Sequence, residues 1–101
     1  MPISAHTENN GRRLRILVEG RFDFSQLHLF RNAYEQIEEK PDDYVVDLKA
    51  SNYIDSSALG MLLALRDHAG GDTASIKISN CSPDILKIFM ITKLNELFTI
   101  E

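Results

Sequence analysis

The chain has 101 residues, 44% hydrophobic and 26% charged, with a formal net charge of −4 at pH 7. A chain of ~100 residues supports one domain with one core, and this apolar content excludes intrinsic disorder. The longest unbroken apolar run, Met61 to Leu65, is far shorter than the ~18 residues that suggest a membrane span.

The opening Met1-Pro2-Ile3-Ser4-Ala5-His6 has no basic patch leading into an apolar stretch, so no secretory signal is expected. One cysteine, Cys81, leaves no internal disulfide and no zinc framework. The acidic balance argues against nucleic acid, because backbone binding needs clustered Lys and Arg. Arg12, Arg13 and Arg15 are the one local cluster, expected at a turn and on a strand's exposed face. A single soluble cytoplasmic domain over residues 1–101 is the expectation.

The first segment alternates, with Ile3, Ala5 and Thr7 on one side and Ser4, His6 and Glu8 on the other. Asn9-Asn10-Gly11 follows. Asn-Gly is a strong hairpin signal, because both residues tolerate positive φ. The next run alternates again, Leu14, Ile16 and Val18 against Arg13, Arg15 and Glu19, and Gly20 closes it. Asp23 or Ser25 is placed to cap a helix on which Leu27, Phe30, Tyr34 and Ile37 recur at helical spacing, and Pro41 ends the element.

Tyr44 to Leu48 reads as a deeply buried strand, and Lys49 to Ile54 as a loop. A second helix is expected from about Ser56 to Ala69, stopped by Gly70-Gly71. Ala74, Ile76 and Ile78 mark another strand. Ser82-Pro83-Asp84 starts a third helix: Ser as cap, Pro in the first turn, Asp on the dipole. Ile85, Leu86 and Phe89 supply its core face, and Leu97, Phe98 and Ile100 suit a short last strand or a packed tail. The order β-β-α-β-α-β-α-β predicts an α/β fold: a mixed sheet, parallel at its centre, opening with an antiparallel hairpin and covered by helices.

No enzyme motif is present, neither a phosphate-binding Gly-rich loop nor His-Glu-x-x-His. His6, His28 and His68 are isolated and read as surface residues. His68 cannot activate Ser56, because 12 helical residues separate them by ~18 Å. Cys81 reads as a small filler at a strand end. No catalytic residue, metal or cofactor is therefore expected, and the chain is not expected to be an enzyme.

Asn52-Tyr53-Ile54-Asp55-Ser56-Ser57-Ala58-Leu59-Gly60 is the most informative stretch. It follows a buried strand and opens a helix, where ligands and partners dock in open α/β sheets. Spacing alone reads it as a plain cap, since Asp and Ser are what a helix start wants. The helical wheel adds a second stripe, however. Ala58, Leu62, Leu65 and Ala69 form the core stripe, whereas Ser56, Gly60, Leu63 and Asp67 lie nearly opposite. An outward Gly and Leu suit a docking surface, and an outward Ser at a helix start tolerates a phosphate.

The segments Val45-Val46-Asp47-Leu48 and Ile54-Asp55-Ser56-Ser57-Ala58-Leu59-Gly60 together resemble the signature of the STAS domain, the fold of bacterial anti-sigma factor antagonists. Gly20-Arg21-Phe22-Asp23 and Ser82-Pro83 through Phe98 extend the resemblance over nearly the whole chain. It implies an interaction switch. Ser56 would be the phosphoacceptor, supported by Asp55, Asp23 and Ser57, with Leu59, Gly60, Leu63 and Asp67 as the partner surface. The implied partners are an anti-sigma factor or serine kinase and a PP2C-type phosphatase, carried on a response regulator in a short subgroup; the chain itself would be a monomer. The alternative on the same fold is a module that binds a nucleotide or lipid, or a transporter-associated subunit, for which this loop offers only Lys49 as a cation. Three positions depart from the pattern: Arg21 replaces a usual Glu, Ala58 a usual Gly, and Lys93 stands where Gly often ends the third helix.

Overall fold

Alternation over Ile3–Glu8 (β1) and Arg13–Val18 (β2) builds the antiparallel hairpin that the sequence predicts, with Glu8 opposite Arg13 as its closing pair. The computed structural model describes residues 2–101. The hairpin loop is four residues long, and Asn9, Asn10 and Gly11 all take positive φ (54°, 59° and 84°). Asn and Gly adopt that region at low cost, which is why this loop sequence closes here.

Three further strands pair in parallel: Asp43–Asp47 (β4) on β2, Ile76–Ser79 (β6) on β4, and Thr99–Ile100 (β7) on β6. The five-stranded sheet runs β1-β2-β4-β6-β7. Leu14, Ile16 and Val18 from β2, with Tyr44, Val46, Ile76 and Ile78, line one face. Helices α1 (Leu27–Glu35), α2 (Ser56–His68) and α3 (Pro83–Ile91) add Phe30, Tyr34, Ala58, Met61, Leu62, Leu65, Ile85 and Phe89 to the same core. Phe22, Phe30 and Tyr34 stack in series there, with ring centroids 5.1 and 5.8 Å apart.

The helices therefore cover one face only. Charged pairs cross the strands on the other: Arg13 to Asp43 at 2.9 Å, Arg15 to Glu8 at 3.0 Å and to Asp47 at 3.3 Å, and Lys77 to Glu101 at 3.5 Å. Two members of the predicted arginine cluster are thus consumed as sheet pairs, while Arg12 stays exposed in the loop. Val45 sits in register between Arg15 and Lys77 and is 2% exposed. Long side chains lying along the sheet shield an apolar residue in this way while their charged heads stay wet.

Two elements depart from the expected order. Gly20 does not close a strand; with φ of 72° it turns the chain into a short strand, Gly20–Phe22 (β3). The expected loop from Lys49 to Ile54 contains a second, Ser51–Ile54 (β5), which pairs with β3 in parallel. Ser51 is buried, and its hydroxyl donates to the Gly20 carbonyl at 2.9 Å. Leu86 is also corrected: it is 39% exposed, because only Ile85, Ile88 and Phe89 of α3 turn toward the core. Helix α1 ends at Glu35, six residues before Pro41, and a turn of 3-10 helix over Phe24–Gln26 precedes it.

Lys93 follows the last turn of α3 with φ of 62°, the left-handed conformation that glycine favours. A side chain there costs about 1 kcal/mol, more than the chain entropy glycine would lose. Lys93→Gly should raise stability in urea by about 0.5 kcal/mol; an unchanged or lowered midpoint would show that Lys93 carries no strain.

Candidate functional site

The β3/β5 pairing places two helix starts side by side. Phe22 and Ile54 are register partners, and each strand is followed by an aspartate that caps the next helical turn. Asp23 Oδ1 accepts the Ser25 N–H at 3.0 Å and the Ser25 hydroxyl. Asp55 Oδ1 accepts the Ala58 N–H at 3.1 Å and the Ser57 hydroxyl at 2.6 Å. Both aspartates are extended, as helix caps are. The residue after each, Phe24 and Ser56, projects outward; Phe24 is 68% exposed.

The two serines of α2 are therefore not equivalent. Ser57 is half-buried and its hydroxyl is committed to Asp55. Ser56, the first helical residue, is exposed, and its hydroxyl makes no hydrogen bond to another described residue. Gly60, Leu63 and Asp67 are exposed along the same stripe, with Leu63 at 40%; Leu59 is half-buried against the core. A Cβ built on Gly60 would meet nothing within 4 Å. Its lack of a side chain leaves a shallow step between Ser56 and Leu63 rather than relieving a clash.

Carboxylates dominate the electrostatics here. The Ser57 hydroxyl, backed by the Ala58 and Ser57 N–H groups, holds the Asp55 carboxyl below its usual range, against partial burial and the nearby charge of Asp23. The Ser25 hydroxyl and N–H, with Arg21, do the same for Asp23. Arg21 is a cation that the sequence does not place: its guanidinium carbon lies 3.8 Å above the centroid of the Tyr53 ring, and its Nε donates to Asp23 Oδ2 at 3.4 Å. The signal was the register, since Arg21 and Tyr53 face each other only once β3 and β5 pair. Lys49, the cation expected for an anion-binding loop, instead lines a cavity of about 310 Å3 with Leu17, Val18, Glu19, Asp47 and Ala50.

The remaining candidates lie elsewhere. His6 Nε2 donates to Glu8 Oε2 at 3.1 Å, and His68 packs on Tyr34 at 4.9 Å. Burial pushes the Cys81 thiol up, away from reactivity. No group of three His, Cys, Asp or Glu residues suited to a metal occurs among the described residues. No helix among them is long and apolar enough to cross a membrane.

A one-faced α/β layer with a capped, serine-bearing helix start is an arrangement of STAS domains. The family model described as "Mlab, STAS domain" matches residues 5–99, and the chain belongs to that family. It is 51% identical to a STAS-domain containing protein of Pseudomonas aeruginosa (strain UCBPP-PA14), over the full length of both chains. It is 24% identical to the anti-sigma-B factor antagonist of Bacillus subtilis (strain 168), covering all of this chain and 93% of the relative. Among solved structures, a putative anti-sigma factor antagonist from Thermotoga maritima superposes with a TM-score of 0.83 at 12% identity, over 97% of this chain and 84% of that one.

Both capping carboxyls titrate below the usual carboxylate range. Their contribution is complete above the unfolded-chain pKa of about 3.9 and is lost as pH falls through the depressed folded values. Asp55→Ala should lower Tm at pH 7, with a smaller gap to the parent at pH 3. A gap that is constant over this range would mean that the carboxylate charge plays no part in the cap.

Proposed function

We propose that this protein is an anti-sigma factor antagonist that works as a phosphorylation-controlled interaction switch. The observation that carries the reading is the inequality of the two serines: Ser57 is tied to Asp55, whereas Ser56 presents a free, exposed hydroxyl at the start of α2. The relationship to the Bacillus subtilis antagonist supports the choice of partner class. In the unphosphorylated state, Ser56, Leu59, Gly60, Leu63 and Asp67 form the surface that an anti-sigma factor or serine kinase grips. Asp55, Asp23 and Ser57 hold the helix start in place and so aim the Ser56 hydroxyl.

Phosphate at Ser56 adds a charge of about −1.5 to −2. The N-terminal N–H groups and dipole of α2 stabilise that anion, so the fold tolerates it. A partner surface complementary to a neutral serine and an apolar step is repelled. The net charge of −4 becomes about −6, with the added charge placed at one helix start. Release frees the partner to act on its other ligand, and a PP2C-type phosphatase, on a response regulator in this reading, resets the switch. The chain needs no cofactor or metal of its own and acts as a cytoplasmic monomer.

Incubation with the cognate kinase and ATP, followed by peptide mass spectrometry, should place phosphate on Ser56 alone, with none on Ser56→Ala. Phosphate on Ser57, or continued modification of Ser56→Ala, would overturn the assignment. Ser56→Asp should weaken anti-sigma factor binding at least about tenfold while Tm stays within about 2 °C of the parent, as expected for a surface charge that leaves packing untouched.

A further inference from the structure

The pairing of β3 with β5 brings a cation, Arg21, to the proposed switch. Arg21 is the register partner of Tyr53, three residues before Ser56. Residues 53 and 55 of an extended strand point to the same face, about 7 Å apart. The ring under Arg21 therefore lies on the side where Asp55 caps α2. Asp23 is on that face too, and its charge is felt at Asp55. A phosphate on Ser56 would enter a neighbourhood that already holds two carboxylates, one of which, Asp23, has the Arg21 guanidinium 3.4 Å away.

We infer that Arg21 is an intramolecular clamp for phosphorylated Ser56, exchanging Asp23 for the phosphate while it stays stacked on Tyr53. This rests on Ser56 being the modified serine. The exchange is favoured on three counts. The contact with Asp23 is long, at 3.4 Å, and the Arg21 side chain is 62% exposed, so little is lost on leaving it. A guanidinium bonded to a phosphate dianion makes shorter and stronger hydrogen bonds, two at once in its planar fork. Stacking on Tyr53 leaves the edge of that fork open and holds the long side chain in place beforehand.

The exchange changes the surface twice. Phosphate gains a counter-charge and is held against α2, and Asp23 loses its cation beside the exposed Phe24. A partner that recognises the neutral serine then meets a rearranged helix start as well as a new charge.

Phosphoserine can be installed at position 56 of the full chain by genetic encoding, so the test needs no kinase. The phosphate is titrated by 31P NMR. The groups facing it are Asp23 and Asp55, which raise its second pKa, and Arg21 and the α2 N-terminus, which lower it. The parent midpoint should lie at least about 0.3 pH unit below that of Arg21→Gln, with Arg21→Lys between them because Lys keeps the charge and loses the fork. Coincident midpoints for the parent and Arg21→Gln would overturn the clamp. In the unmutated chain, the Arg21 Nε–H resonance should shift on phosphoserine incorporation while that of Arg66, ion-paired to Asp72, stays still; an unmoved Arg21 resonance would equally overturn it. Failure here leaves Ser56 as a kinase target intact, whereas failure of kinase labelling at Ser56 leaves the clamp's chemistry measurable.

Discussion

The register match of Phe22 with Ile54 is the constraint on which the site depends. Both residues are buried, at 0% and 4% exposure, and their side chains anchor β3 and β5 to the core. With those two positions fixed, the next residue of each strand, Asp23 and Asp55, has to emerge at the same level on the surface. Two helical starts follow, each capped by its aspartate. The exposure of Ser56 and Phe24 is a consequence of this pairing, because both occupy the first position after a cap. A short two-stranded sheet of this kind has little stability of its own. The Gly20 N–H donates to the Ala50 carbonyl, and the buried Ser51 hydroxyl donates back to Gly20. Those polar contacts tie the pair to the turn beyond β4, so the site is held by the core rather than by its own loops.

The sheet leaves its other face uncovered. Among the described residues there are three α-helices, enough to cover one face of five strands. The other face is wetted instead, and its charges are paired across strands. Arg15 reaches Glu8 on one side and Asp47 on the other, which links β1, β2 and β4. Asp47 also accepts from the Lys49 N–H and from the Asn80 side chain, so one carboxylate ties the ends of β4 and β6 together. These are partly exposed pairs, each of modest energy. Their greater effect is on register, since a one-residue slip would place Arg13 opposite a residue other than Asp43 and turn the core residues outward.

Periodicity made the hairpin, the buried central strands and the three helices legible, because each carries at least two apolar residues on its core side. The stripe of Ser56, Gly60, Leu63 and Asp67 was legible for the same reason: helical geometry fixes direction at 100° per residue. Lys93 was legible only as a departure, since it stands where Gly often ends the third helix; that the turn keeps its left-handed form, with φ of 62°, is what the structure adds. The β3/β5 pairing was not. Gly20–Phe22 and Ser51–Ile54 hold three and four residues, too few to show alternation, and their partners lie 31 residues apart. The stack of Arg21 on Tyr53 inherited that invisibility. Leu86 misled for the opposite reason, since an apolar residue next to Ile85 looks like core until the crossing of α3 fixes which side is covered.

Position 21 bears on the proposed switch without touching the fold. An acid there would add a third carboxylate beside Asp23 and Asp55, and phosphate at Ser56 would act by repulsion alone. Arg21 reverses the sign of one neighbour, and its partner ring, Tyr53, comes from the strand that leads directly into Ser56. The same register that aligns the two caps thus places a cation within the strand pair that leads into α2. Charge at this surface is therefore set by Arg21 on β3 and by Asp23 and Asp55, the caps that follow β3 and β5, while Phe22 and Ile54 beneath them keep the same packing whichever charges stand there.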